Sequence, residues 1–167
     1  KLNLVIDYIE SHLTESIEPK TIEKIACCSY YDVGRIFSLI ADINISDYIR
    51  NRRLTLAGIE LRNDNVKVVD VALKYGYNSP VSFARAFQSF HGFNPSFANK
   101  SDVVLNVFPR LVYKISAEGV IDVVNKGKIT INGKEYVASY FGEQDMSSWS
   151  DYATKREFWR LENVNNA

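Results

Sequence analysis

Ser29-Tyr30-Tyr31-Asp32-Val33-Gly34-Arg35-Ile36-Phe37 is echoed fifty positions later by Ser79-Pro80-Val81-Ser82-Phe83-Ala84-Arg85-Ala86-Phe87. Each copy opens on serine, passes through a mixed stretch to an apolar residue, and closes on Arg-x-Phe. A serine just ahead of residues at helical spacing is an N-cap, because its hydroxyl accepts from amides that a first helical turn leaves unpaired. In the first copy Val33, Ile36 and Phe37 recur at intervals of three and four and form a buried side, leaving Tyr31, Asp32, Gly34 and Arg35 at or near the open side. In the second, Phe83, Ala86 and Phe87 turn inward, while Val81, Ser82, Arg85 and Gln88 turn outward. The repeat therefore predicts two short helices, each with a packed back and an arginine on its open face.

The surrounding pattern supplies a partner for each. Leu2, Val5, Ile6, Ile9 and Leu13 form one helix face, broken at Glu18-Pro19, and Thr21 opens a short helix containing Ile22, Ile25 and Ala26. A longer amphipathic helix runs from Ser46 to Leu61, roughly 24 Å at 1.5 Å per residue. Val66 to Tyr75 is stopped by Gly76, Ser79 to Phe90 by Gly92, and Asn94-Pro95 starts a last helical turn. This gives a mainly α unit over residues 1–102, with about seven helices and two helix-turn-helix pairs joined by the long helix. Beyond it the pattern turns strand-like. Val107 to Ile115 is apolar but interrupted by Pro109, and Asn132-Gly133 between alternating residues predicts a type I′ hairpin near 128–140. Tyr152 to Glu162 reads as a short helix opened by Asp151. Residues 103–167 are thus a small α+β or β-rich segment, a small or truncated effector or dimerisation domain.

Bulk properties exclude several classes. No apolar run approaches the roughly 20 residues of a membrane helix, and the opening residues alternate at helical spacing, unlike a signal peptide. The start on Lys1 reads as a fragment or a processed end. Cys27 and Cys28 are adjacent and form neither an ordinary disulfide nor a metal set alone, which fits a reducing, cytoplasmic setting; both are expected to pack against the first helix pair. No P-loop, metal-ligand spacing or nucleophile-base pairing is present, and His12 and His91 are isolated, so no enzyme, cofactor or metal is expected. Net charge is zero, with 20 basic and 20 acidic residues, which argues against binding nucleic acid by bulk charge. The charge is segregated, however: residues 1–25 are acidic, whereas Arg50-Asn51-Arg52-Arg53 is strongly basic.

A helix that enters the major groove needs exposed side chains near its N-terminus and a supported back. Both repeats meet that demand. Arginine bonds two guanine acceptors at once, an aromatic such as Tyr31 meets a thymine methyl or a phosphate, and Asp32 can accept from cytosine N4 while repelling phosphate. A long helix between the pairs would set them near successive groove segments on one face, which recur about every 34 to 36 Å.

Residues from about 3 to 100 resemble the DNA-binding region of AraC/XylS-family transcription regulators. The resemblance is carried by Ile22-Glu23-Lys24-Ile25-Ala26, Ser29 through Phe37, Asp47 through Leu54, Val68 through Tyr77, Ser79 through Phe87 and Gly92-Phe93-Asn94-Pro95-Ser96. It implies base-reading positions at Tyr31, Arg35, Val81 and Arg85, to which the chemistry adds Asp32 and Ser82. It also implies that nearby hydroxyl and basic groups hold phosphates: Ser29, Tyr30, Arg50, Arg52, Arg53, Ser79 and Gln88. The implied partners are a double-stranded DNA operator and RNA polymerase. Departures from the family pattern are Glu23 in place of a small alanine, Gly34 in place of a larger polar group, and Pro95 through Lys100 without the common Tyr-Arg ending. Phe108 through Ile115 resembles the start of a GyrI-like effector domain, although the remainder is short for the usual duplicated fold. There Tyr113, Tyr136, Tyr140, Trp149 and Trp159 are open to three readings: a small core, a cage for a small-molecule effector such as an organic cation, or a homodimer contact. A ligand sensor or dimerisation module with weak DNA binding of its own is the alternative function.

Overall fold

The computed structural model describes residues 1–63, 66–100, 103–115, 121–123, 128–131, 134–139 and 159–163. Its first part comprises α1 (Leu2–Ser11), α2 (Pro19–Ala26), α3 (Tyr30–Ala41), α4 (Ile45–Asn63), α5 (Val68–Lys74), α6 (Pro80–His91) and a 3-10 turn at Pro95–Phe97. Six α-helices are present among the described residues, and the expected seventh is that single 3-10 turn. Boundaries shift where capping chemistry outweighs periodicity. Helix α2 begins at Pro19 and not at Thr21, because proline at the first position has no amide to leave unpaired. Helix α4 is 19 residues long, about 28 Å at 1.5 Å per residue, and begins at Ile45, one residue before the expected Ser46. At its start Asn44 Oδ1 accepts from the Asp47 amide (2.8 Å) while Asn44 Nδ2 donates to the Asp47 carboxylate (2.7 Å).

Two apolar cores flank α4. The first gathers Val5, Ile6 and Ile9 of α1, Ile22 of α2, Val33 and Phe37 of α3, and Tyr48 at the start of α4. The second gathers Leu54, Ala57 and Leu61 of α4, Val71 and Ala72 of α5, and Phe83 and Phe87 of α6. Leu56 and Phe90 pack against both. Each helix pair therefore has its own core, and α4 belongs to each. Ile36, expected inward, is 46% exposed; the buried stripe of α3 runs through Val33, Phe37 and Ala41 instead. Cys27 also departs from expectation. It ends α2 in the left-handed region (φ 60°) with its amide donating to the Glu23 carbonyl (2.8 Å), and its side chain is exposed, while Cys28 packs partly on the first core.

Beyond residue 103 the chain runs along α4 and then forms strands. Strands β1 (Asn106–Val107), β6 (Trp159–Asn163), β5 (Lys134–Ser139) and β4 (Lys128–Ile131) form one antiparallel sheet in that order. Strands β2 (Tyr113–Ile115) and β3 (Ile121–Val123) pair separately. The expected hairpin is present in its strands, with Ile131 opposite Lys134; its turn, Asn132-Gly133, lies outside the described residues. The helix expected over Tyr152 to Glu162 is corrected at its end. Trp159–Asn163 is a strand paired on both edges, so ladder bonds to β1 and β5 outweigh a local helical pattern; residues 152–158 lie outside the described residues.

The α4–α6 junction is unusually tight. A Cβ at Gly58 would lie 2.8 Å from the His91 ring and 2.9 Å from Leu105. His91 is buried, its Nε2–H donates to the Leu54 carbonyl (3.0 Å), and its Nδ1 accepts from the Asn106 amide (3.2 Å). Those partners admit only the neutral ring, and burial pushes its pKa down to about 4. Gly58→Ala is expected to destabilise the fold by about 1 to 2 kcal/mol, because overpacking costs more than the roughly 1 kcal/mol of helix propensity gained; urea unfolding measures it. The unfolded chain takes up a proton on His91 near its ordinary value of 6.5, whereas the folded chain does so only near 4. Stability should therefore fall as pH drops through that window, by on the order of 3 kcal/mol, and a pH series of urea midpoints should flatten in His91→Gln.

Candidate nucleic-acid interface

Helix α3 is opened by a reciprocal cap. Ser29 Oγ accepts from the Asp32 amide (3.1 Å) and donates to the Asp32 carboxylate (2.6 Å). The preceding amide, that of Tyr30, donates to the Glu23 carboxylate of α2 (2.9 Å). Glu23 thus closes the turn between the two helices, which explains how a long acidic residue fits where the resemblance leads one to expect alanine. Two amides of the first turn are satisfied by the protein's own carboxylates and hydroxyl. The N-terminus of α3 is consequently acidic, and this weakens the ordinary attraction of a helix start for phosphate.

The open face of α3 carries Tyr31, 72% exposed, and Arg35, whose guanidinium lies 6.0 Å from the Tyr31 ring centroid. Continuing at the same spacing is Leu39, 85% exposed. These three border a shallow groove of about 900 Å³ whose opposite wall is Asn44 and Ser46 at the start of α4. Leu39 escaped the sequence reading, although its spacing of four from Arg35 and eight from Tyr31 marks the same helical side. Helix α6 differs. Ser79 caps it, accepting weakly from the Ser82 amide (3.5 Å), and its first turn carries no acidic residue. Val81, Ser82, Arg85 and Gln88 are all exposed. The Ser82 hydroxyl donates to the Ser79 carbonyl (2.8 Å), which leaves its lone pairs outward.

The expected site residues therefore divide. Tyr31, Arg35, Val81, Ser82 and Arg85 lie on the open faces of the two repeat helices. Asp32 is exposed beside them, with one carboxylate oxygen accepting from Ser29 Oγ within the cap. Among the residues expected at phosphates, Ser29 and Ser79 are caps and Tyr30 packs partly on the first core. Arg50 and Gln88 are exposed, Arg50 lying 2.8 Å from Asp47. Arg52 is corrected outright. It is 4% exposed, paired through two nitrogens with Glu10 (2.8 Å each) and donating to the Phe108 carbonyl (2.6 Å). Burial opposes its charge, but the Glu10 carboxylate more than offsets this and raises its pKa. Arg53 is half-buried and donates to the Leu13 and Glu15 carbonyls (2.8 Å each) beyond α1, against the left-handed Gly76 turn. Alternation of charge along a helix does not reveal which arginines face a neighbouring element, so the basic cluster looked uniform in sequence.

Tyr113 is also corrected. It is 7% exposed, its ring is edge-on to Phe37 (6.4 Å), and it belongs to the first core instead of a ligand cage. Tyr136 lies on β5 and Trp159 on β6, while Tyr140 and Trp149 fall outside the described residues. Among those residues no helix is long and apolar enough to cross a membrane.

Comparison with known proteins agrees with this geometry. Residues 22–101 match a family model described as a helix-turn-helix domain. The chain is 33% identical over 102 residues to the HTH-type transcriptional activator AarP of Providencia stuartii, covering 61% of this chain and 76% of that protein. It is 30% identical over 95 residues to the regulatory protein SoxS of Salmonella typhimurium, covering 57% of this chain and 89% of SoxS. Among solved structures, the DNA-binding domain of the global transcriptional factor AdpA in complex with a target DNA superposes with a TM-score of 0.54 at 23% identity, covering 59% of this chain and 88% of that one. The chain belongs to the AraC family of helix-turn-helix, DNA-binding transcription regulators.

Proposed function

We propose that the protein reads a DNA site of two segments, with α3 and α6 entering successive stretches of major groove. The observation that carries this reading is the matched placement of Arg35 and Arg85. Each is exposed on the open face of a serine-capped helix whose back is buried in its own core, and α4 links the two cores. The length of α4, about 28 Å, is of the same order as the groove repeat of about 34 Å. The solved AdpA domain, described as bound to a target DNA, supports the reading.

The two helices would contribute differently. Helix α6 offers Ser82, Arg85 and Gln88 for hydrogen bonds and no acidic first turn, so it would combine base reading with phosphate contact. Helix α3 offers one guanidinium flanked by Tyr31 and Leu39, a face suited to one guanine beside thymine methyls. Arg50 and Gln88 are left as phosphate contacts. We read the strands after residue 105 as an effector or dimerisation unit.

Selection of binding sites from random DNA at fixed salt tests the reading and should return two conserved segments. On the selected site Arg35→Ala and Arg85→Ala should each cost about 1 to 3 kcal/mol and relax preference at one segment only. Equal loss on all sequences would reassign that arginine to phosphate. A Cβ at Gly34 meets nothing within 4 Å, so Gly34→Ala should raise thermal stability by up to about 1 kcal/mol. A simultaneous loss of DNA affinity would show that DNA approaches the α3 backbone there.

A further inference from the structure

Residues 103–113 lie past the end of the family match at residue 101, yet they are hydrogen-bonded to α1, α4 and the end of α6. At the near end, the Asn106 amide donates to His91 Nδ1 (3.2 Å) and its side chain donates to the Phe90 carbonyl (2.7 Å), both at the end of α6. In the middle, α4 grips Phe108 twice. The Phe108 amide donates to Thr55 Oγ1 (2.9 Å), and its carbonyl accepts from Arg52 Nη1 (2.6 Å). At the far end, the Tyr113 amide donates to Asn3 Oδ1 (2.9 Å) and its carbonyl accepts from Asn3 Nδ2 (2.8 Å). One side chain of α1 thus supplies the pairing that a neighbouring strand would give. Apolar contacts divide likewise: Leu105 joins the second core, while Phe108, Leu111 and Tyr113 join the first.

A segment that merely leaves a domain runs over its surface with few contacts. Most of this one is buried and it is tied at both ends, and its seven steps from Asn106 to Tyr113 can span at most about 23 Å at 3.3 Å per residue. It is therefore a second strut beside α4. One helix fixes the distance between two cores but leaves bending and rotation about its axis to side-chain packing. A second connection displaced from that axis removes those freedoms.

We infer that residues 105–113 are a brace that fixes the orientation of α3 relative to α6, and thereby makes the protein select one spacing between its two DNA segments. The inference rests on the two-segment reading above. Once one reader is bound, the other inserts at an effective concentration set by how well the linkage holds it over its segment. A rigid linkage raises that concentration at one spacing and lowers it at others. Because the brace contains β1 and continues into β2, the C-terminal strands are in a position to act on this spacing through the backbone alone.

The test uses the whole chain and duplexes carrying the selected site at its own spacing, with one or two base pairs added or removed between the segments, and with the α6 segment alone. Asn3→Ala with Asn106→Ala removes both Asn3 bonds at the far end and the side-chain bond to Phe90 at the near end, at positions that are not buried. Thr55→Val removes the central hydroxyl at nearly constant volume, and Thr55→Ser keeps it. The wild-type protein should lose about tenfold or more on altered spacings, whereas the double variant and Thr55→Val should lose about tenfold on the selected spacing and discriminate spacings by no more than about threefold. Binding to the single segment should be unchanged, and Thr55→Ser should behave as wild type. Variants that keep the full spacing penalty, or that weaken equally on the single segment, overturn the brace alone. A wild-type protein that selects only one segment overturns the two-segment reading and the brace together.

Discussion

The Arg52 guanidinium, in the middle of α4, is almost fully removed from water and bonded at once to Glu10 of α1 and to the Phe108 carbonyl. A buried charge is tolerated only when paired and hydrogen-bonded in good geometry, and taking away one partner typically costs about 3 to 5 kcal/mol. Glu10 shares its Oε1 with the Tyr48 hydroxyl (2.7 Å), which in turn accepts from the Leu111 amide (3.4 Å). Helix α1, helix α4 and the segment after residue 103 are therefore held by one polar cluster. Its components satisfy one another, so the position of each limits the others.

This constraint reaches the open faces of the two repeat helices through packing. Phe37 of α3 touches Tyr48 (5.5 Å between ring centroids) and Tyr113, so the first repeat helix rests on residues that the cluster positions. The second rests on His91 and Gly58, where the absence of a side chain lets α4 approach within contact distance of the ring. The two helices are alike in capping and in their arginine, yet they present different surfaces. Glu23 and Ser29 accept from two amides of the first turn of α3, where Glu23 and Asp32 also place two carboxylates, whereas the first turn of α6 carries no acidic residue and exposes the Ser82 hydroxyl. On the proposed two-segment reading, unequal readers on one scaffold would distinguish the two ends of a site that has no internal symmetry.

Much of this architecture is legible without coordinates. The serines ahead of each repeat, the stops at Gly76 and Gly92, and the three-and-four spacing of Val33 with Phe37 and of Phe83 with Phe87 act within a few residues, and such local signals survive into the fold. Errors fall where a partner distant in sequence decides the outcome. Ile36 lies on the boundary of the apolar stripe, and the position of α4 and α1 leaves it outside. Trp159–Asn163 has a helical local pattern but two strand neighbours, one of them more than fifty residues earlier in the chain.

By itself the sequence determined the helices of residues 1–102, their caps and the two open arginines, because each follows from hydrogen bonds and periodicity within one or two turns. Tertiary structure alone decided which charges remain available. Arg50, Arg52 and Arg53 are neighbours in one helix, but their side chains point in different directions and meet solvent, Glu10 with Phe108, and the carbonyls beyond α1 respectively. It likewise decided that Asp32 caps a helix and that Tyr113 fills a core. The bonds tying residues 106–113 to Asn3, Thr55 and His91 span 15 to 110 positions in the chain, a separation over which no local pattern carries information.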